Sequence, residues 1–478
     1  MNPESAYHYF LYNADIPAHH PDAFWGLYIG RIVIRLLIGV FAILMAVPPL
    51  VWWERRLLGW MQQRQGPNRV GPFGLLQTIA DGLKLLFKED INPTRVDTTL
   101  FVLAPMIFLI PSLVTSAVIP WGASRVWGAP APNVSIGVLY LLAWGSLAVY
   151  GIVMAGWSSN NKYSLLGGLR ASAQMISYEL GMGLAIICIV LMTGSLGLQD
   201  IVHEQGFFVF NQSLAQYIAL PEWNVFKYFP MGAIATIVYM ISMLAETNRA
   251  PFDLPEAETE LVAGYHTEYT SMKFATFFLG EYANMIITSA IASTLFFGGF
   301  QAPLPILGHI PVNEAGVGIG ILLIKIVNIF LPVMWLTVKV LALLYFFIWI
   351  RATLPRLRYD MLMKIGWQGL LPIALVNVLL VAIGMTEGYV VGLICWAVVF
   401  GIGLACFASS NPSKKFVTNV RRDTTLTMNA SAVPYSAVPQ NPGYGGQTLP
   451  PDAANGALGG PHTDREVELA RASAGEKG

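Results

Sequence analysis

Ala245-Glu246-Thr247-Asn248-Arg249-Ala250-Pro251-Phe252-Asp253-Leu254-Pro255-Glu256-Ala257-Glu258-Thr259-Glu260-Leu261-Val262-Ala263-Gly264-Tyr265-His266-Thr267-Glu268-Tyr269 separates two long apolar runs, 229–246 and 274–298. With Glu281 it sets seven carboxylates (Glu246, Asp253, Glu256, Glu258, Glu260, Glu268 and Glu281) against Arg249 and Lys273. Carboxylates at a membrane boundary cost desolvation and mutual repulsion, so some must be paired, hydrated or protonated. A D-x-x-E capping box of Asp253 with Glu256, and Pro255 in a first helical turn, accounts for about two of them. The rest call for a function.

Outward from this block the chain is apolar. Hydrophobic residues make up 55% of its 478 residues and charged residues 12%. That composition predicts an all-α polytopic membrane protein and not a soluble core. Runs long enough to cross a bilayer lie at 27–52, 99–121, 135–157, 174–196, 229–246, 274–298, 328–350, 370–385 and 388–408, about nine transmembrane helices. The Gly-rich segment 315–327 carries Lys325 and reads as a surface helix or a re-entrant approach to the seventh span. The resulting organisation is an outer amino-terminal segment 1–26, a membrane domain 27–408 with inner loops 53–98, 158–173, 247–273 and 351–369, and a tail 409–478. Gly, Pro, Ala and Ser dominate the tail, which is expected to be disordered.

Basic residues orient the chain. With the amino terminus outside, the inner loops hold Arg55, Arg56, Arg64, Arg69, Lys84, Lys88, Arg95, Lys162, Arg170, Arg249, Lys273, Arg351, Arg356, Arg358 and Lys364, and the outer loops only Arg125, Lys227 and Lys325. An odd number of spans puts the tail in the cytoplasm, in accord with the positive-inside rule. The first basic residue is Arg31, so the amino terminus lacks the charged region of a cleavable signal and the first run is expected to be kept as a span.

Some chemistries are disfavoured. Net charge is zero, against nucleic-acid binding. Cys188, Cys395 and Cys406 sit in apolar runs without paired spacing, against disulfides and iron–sulfur ligation. No nicotinamide fingerprint or flavin site is apparent.

The first inner loop carries a polar stripe, Gln77, Asp81, Lys84 and Lys88, opposite an apolar one of Leu75, Leu76, Ile79, Leu83, Leu86 and Phe87. This is an amphipathic interfacial helix, either a loop anchor or the wall of a chamber entered from the lipid with Asp81 facing inward. Ionisable groups also occur at membrane depth: Glu179 in the fourth span, Glu281 with Asn284 in the sixth, and Lys339 in the seventh. Such groups mark ion or proton pathways. Pro48, Pro49 and Pro332 interrupt backbone pairing within their spans. Arg351, at the inner end of the seventh span, reads as a positive anchor.

Glu54-Arg55-Arg56 through Gly66-Pro67-Asn68-Arg69-Val70-Gly71-Pro72, Gly156-Trp157-Ser158-Ser159-Asn160, Ser177-Tyr178-Glu179, residues 246–268 and residues 351–360 strongly resemble the H-type membrane component of bacterial NADH–quinone oxidoreductase. This family of respiratory complex I includes the counterpart of mitochondrial complex I subunit one. The resemblance covers most of 27–385 and leaves out the ninth span and the tail. It implies a membrane subunit of a proton-pumping enzyme that shares catalysis with peripheral-arm quinone-site and cluster subunits and touches small membrane subunits. The implied substrate is a quinone, ubiquinone or menaquinone, reached from the bilayer between the first span, the amphipathic helix and the sixth span. It implies that Arg55, Asp81 and Arg249 border the quinone cavity. It further implies that Glu179, Glu246, Glu256, Glu258, Glu260, Glu268 and Glu281 form an acidic funnel, with Asp253 beside them and Lys339 as an intramembrane cation. The implied location is the bacterial cytoplasmic (inner) membrane. The same module resembles the membrane subunit of energy-converting hydrogenases, and a solitary cation transporter or an assembly scaffold is the remaining alternative. A transporter is expected to carry internal repeats, and none is seen.

Overall fold

The computed structural model describes residues 21–122, 134–208, 220–254, 263–304 and 319–409. The chain divides into residues 1–399 and 400–478, and the architecture below belongs to the first unit. Its elements are α1 (Pro21–Met61), α2 (Gln77–Phe87), α3 (Thr98–Thr115), α4 (Gly137–Ser158), α5 (Lys162–Thr193), α6 (Leu198–Glu204), α7 (Met231–Glu246), α8 (Ser271–Phe296), α9 (Ile319–Thr353), α10 (Tyr359–Lys364), α11 (Leu371–Thr386) and α12 (Tyr389–Ser409), the last continuing into the second unit. A π-helical stretch, Ile365–Leu370, joins α10 to α11. The described strands are two-residue pieces, Phe207–Phe208 antiparallel to Leu220–Pro221.

Among the described residues seven helices are long and apolar enough to cross a membrane, and Met231–Glu246 and Tyr389–Gly401 are shorter apolar helices. The nine predicted runs fall on these nine. The protein is therefore an all-α polytopic membrane protein, as its composition requires. Several helices run past the expected ends of their spans. α1 continues to Met61, α5 begins at Lys162, and residues 319–327 belong to α9 and form no separate surface helix. Polar residues do not stop a helix whose backbone bonds are internal; they change only what its faces meet.

Local chemistry sets several ends. The Asp97 carboxylate accepts from Leu100 N–H and caps α3, and Asn161 accepts from Tyr163 N–H and caps α5. α5 ends on Gly194, whose φ of 70° is the left-handed conformation glycine tolerates. Small residues bring helices close: a Cβ on Gly151 would lie 2.7 Å from the Phe108 backbone, and one on Gly156 would lie 2.8 Å from Ser164 O.

The core centres on α8. It is the least apolar of the seven long helices and the most enclosed, since from Gly280 to Phe296 every residue is buried. Its neighbours are protein, so it carries Glu281, Asn284, Thr288, Ser289, Ser293 and Thr294 inside. Thr288 and Ser289 return their hydroxyls to the backbone of the preceding turn, at 2.8 and 2.7 Å. In contrast, α1 is the most apolar and the most exposed of the seven.

Candidate functional site

α1 buries one stripe, Ile43, Val47, Leu50, Glu54 and Leu57, at alternating spacings of four and three. Glu54 is thus carried inward, and Arg55, the next residue, outward. Around Glu54 the fold assembles a buried charge network. Arg351 of α9 pairs with Glu54 Oε1, the Tyr282 hydroxyl donates to Glu54 Oε2 at 2.8 Å, and Arg249 Nη1 lies 3.9 Å from Glu54 Oε1. Arg249 also lies 4.2 Å over the Tyr282 ring and places Nη2 4.0 Å from Glu281 Oε2. Glu281 Oε1 accepts from the Tyr265 hydroxyl at 3.2 Å and faces His266 Nε2 at 3.6 Å. Glu54, Arg249, Glu281 and His266 are each at most 6% exposed. Buried charges persist only when paired in this way.

The acidic loop supplies Arg249, Tyr265 and His266 because it is stitched to the helices. Gln174 of α5 donates to Ala245 O at 2.8 Å and to Phe252 O at 2.7 Å, holding the turn after α7. The turn Gly264–His266 sits on α5 at Gly167, where a Cβ would lie 2.6 Å from the Gly264 Cα. Phe274, Phe277 and Phe278 box the imidazole of His266, whose Nδ1 has no hydrogen-bond partner among the described residues. Tyr269 stacks on Phe101 with centroids 4.1 Å apart and donates to Phe101 O at 3.2 Å. Burial pushes its phenol up to about 12 against a small opposing effect of Ser158, so it remains a donor.

One turn further along α8, Asn284 reaches a cavity of about 30 Å³, room for a water molecule. Glu179, Glu246, Ser112, Thr115 and Thr288 also face it. Glu246 Oε2 lacks a hydrogen-bond partner among the described residues. The two carboxylates, far apart in sequence, therefore share one small chamber whose lining is otherwise largely apolar, Leu141, Met182, Ile186 and Ile287 among it.

Arg55 and Asp81 meet at the surface, 2.5 Å apart, and Gln77 adds a hydrogen bond of 3.3 Å to Asp81. Partial burial raises the Asp81 pKa, but the bonds from Arg55 and Gln77 outweigh it and hold the carboxyl below its ordinary value. The pair ties α2 to α1. At its other end α2 is tied to α8, since Ser271 Oγ donates to Leu85 O and Lys88 O, both at 2.9 Å. Lys273 extends that junction to Asn92 and to Asp90, at 2.9 Å. The basic and acidic loops thus do meet. The apolar face of α2, including Ile79, Leu83, Leu86 and Phe87, is exposed.

The other predicted residues are dispersed. Glu268 accepts from Asn161 Nδ2 at 2.7 Å, and Asp253 is buried in the loop. Lys339 lies at the far end of α8, donating to Phe297, Gly299 and Gln301 carbonyls at 2.6, 2.8 and 2.7 Å. It caps the carbonyl end of that helix, and among the described residues no carboxylate pairs with it. Glu256, Glu258 and Glu260, with the expected capping box, lie outside the described residues, as does the tail from 410. Sequence reasoning passed over Glu54, Tyr265, His266 and Tyr282, and treated Arg351 as an anchor only. The signal for Glu54 was present in the stripe 43, 47, 50, 54, 57.

Comparison with known proteins places these residues in context. The family described as NADH dehydrogenase matches residues 34–382. An H-type component of the NADH-quinone oxidoreductase of Koribacter versatilis, the second of that name, is 45% identical over 73% of this chain and 96% of its own length. The H-type components of the NADH-quinone oxidoreductases of Rickettsia typhi and Rickettsia bellii are 48% and 50% identical, over 73% of this chain and 92% of theirs.

Proposed function

This chain belongs to the NADH dehydrogenase family, and we propose that it is the membrane subunit of an NADH–quinone oxidoreductase that couples quinone reduction to proton movement. The observation that carries this reading is the buried network of Glu54, Arg249, Glu281, Arg351 and His266, one helical turn from the chamber shared by Glu179 and Glu246.

Reduction of a quinone consumes electrons and protons. The electrons are assigned to peripheral-arm subunits. What this chain supplies is access, charge and protons. α2 lies where a lipid-borne molecule would arrive, fixed to α1 by Arg55–Asp81 and to α8 by Ser271. Its exposed apolar face suits contact with the bilayer. Behind it, Arg249 is held between two carboxylates, and a charge change near it is felt strongly in a low-dielectric interior. Glu54 and Glu281, on its two sides, both feel that change. His266 and Tyr265 offer Glu281 a proton partner, and Asn284 continues the polar line along α8 toward Glu246 and Glu179. The acids Glu256, Glu258 and Glu260 belong to the same stretch of sequence and are assigned to the same acidic funnel. The assembly sits in the cytoplasmic membrane with the acidic and basic loops inside, against the peripheral subunits.

The test is purification of the assembly in mild detergent. NADH-dependent, inhibitor-sensitive quinone reduction, abolished by Arg249→Ala, supports the reading. An assembly carrying hydrogenase subunits and lacking quinone activity overturns it.

A further inference from the structure

A groove of about 570 Å³ opens on the outside of the helix bundle, between α7 and the turn entering α11. Ile234, Ile237 and Ile241 of α7 and Ile373 of α11 line its length, and Lys364 and Gln368 stand at one end. On α7 the isoleucines fall at spacings of three and four, so they form one continuous stripe. Two local features open the space. Ile365–Leu370 is π-helical, a wider turn than an α-helix and one found most often at functional positions. Gly369 contributes no side chain, and a Cβ placed on it meets nothing within 4 Å. The π-helical stretch is tied to α5 by Trp367, half exposed, whose indole N–H donates to Ser177 Oγ at 3.1 Å.

Lys364 is exposed, and among the described residues no carboxylate pairs with it. An unneutralised ammonium at the head of an apolar trough complements an amphiphile with a negative head and an alkyl tail. The volume lies within the range of pockets for single small ligands, roughly 300–1,000 Å³. We infer that this groove binds one anionic phospholipid, its acyl chain along Ile234, Ile237, Ile241 and Ile373 and its phosphate on Lys364 and Gln368. The inference requires only that the protein spans a membrane and is independent of the quinone reading.

The purified assembly is incubated with phosphatidylglycerol bearing a diazirine on its acyl chain, and in parallel with phosphatidylcholine of the same tail. After irradiation, labelled peptides are mapped by mass spectrometry. Phosphatidylglycerol labels segments 234–241 and 365–373 about fivefold more than phosphatidylcholine, the preference expected of one surface lysine. Lys364→Gln, a change at an exposed residue, abolishes the preference. Gly369→Leu, whose side chain occupies the groove, removes labelling of these segments by both lipids and leaves labelling elsewhere on the protein unchanged. Equal labelling by the two lipids, or a preference that survives Lys364→Gln, overturns the inference and makes the groove ordinary lipid annulus. Absence of lipid label together with a crosslink from position 237 to another subunit overturns it in favour of a partner helix.

Discussion

Arg351, near the end of α9, pairs with Glu54 of α1 across 297 residues of sequence. Glu54 thereby joins the first long helix to the ninth element and to Arg249 and Tyr282 at the same time. Glu54→Ala removes the carboxylate that Arg351 and Arg249 share, while Arg249 keeps Glu281, so the expected loss is at the lower end of that for a broken buried pair, about 3 kcal/mol. It is read from the thermal midpoint of the purified assembly. The double substitution Glu54→Ala with Arg351→Ala is expected to be less damaging than the sum of the singles by at least about 1 kcal/mol. Strict additivity would show that the contact carries no energy.

The chamber shared by Glu179 and Glu246 predicts a split between chemistry and coupling. Glu179→Gln and Glu246→Gln keep side-chain shape and remove the exchangeable charge. In sealed vesicles, proton translocation is expected to fall by about 100-fold or more, the lower end of the range for positioned proton carriers. Electron transfer from NADH to quinone, measured in detergent, is expected to fall less. Unchanged translocation in both variants rejects a proton role for the chamber.

Gly167 tests the seating of the turn that holds Tyr265 and His266. Gly167→Leu pushes a side chain into the backbone at Gly264, which already has a φ of 55°. Overpacking of this kind costs about 1–3 kcal/mol. The expected result is an assembled complex with reduced quinone turnover, because the two side chains facing Glu281 are displaced. Wild-type turnover in an assembled variant would detach them from activity.

The tether of α2 has a defined pH window. The folded-state pKa of Asp81 is lowered, so its contribution is present above the unfolded value and is lost as pH falls through the lower, folded value. Arg55 is about half exposed, so the pair is worth no more than about 1 kcal/mol and is weakened by salt. A spin-label distance between α1 and α2 is expected to hold from neutral pH down to about 4 and to broaden below it. Asp81→Asn is expected to broaden it already at pH 7. A distance insensitive to both acid and Asp81→Asn would mean that the Ser271 junction alone fixes α2.

How much of this was legible depends on which force fixed each part. Apolar length placed the seven long apolar helices and the two shorter ones found among the described residues, because lipid exposure leaves a one-dimensional signal in the chain. The period of Gln77, Asp81, Lys84 and Lys88 placed α2 for the same reason. Helix ends were less legible: α1 continues nine residues beyond the expected end of its span, packing against protein where the bilayer no longer sets composition. Glu54 falls in this extension, where composition reads as loop, although the helical stripe continues through it. The charge network was illegible for a different reason. Glu54, Arg249, Glu281 and Arg351 come from four separate segments, and their pairing is a property of helix packing, not of spacing. Lys339 illustrates the converse, since a lysine in an apolar run reads as a mark of an ion or proton pathway, and its ammonium donates to three backbone carbonyls.

Gln174 and Glu179 stand on the same helix, five positions apart. Because one amide group of Gln174 grips carbonyls on both sides of Arg249, the loop and α5 form a single lever whose fulcrum is that side chain. A displacement of the loop at Arg249 must either tear both bonds or swing α5, and with it Glu179, relative to Glu246. The backbone on either side of Arg249 and the helix that bears Glu179 are therefore joined as one mechanical piece by two hydrogen bonds of a single amide.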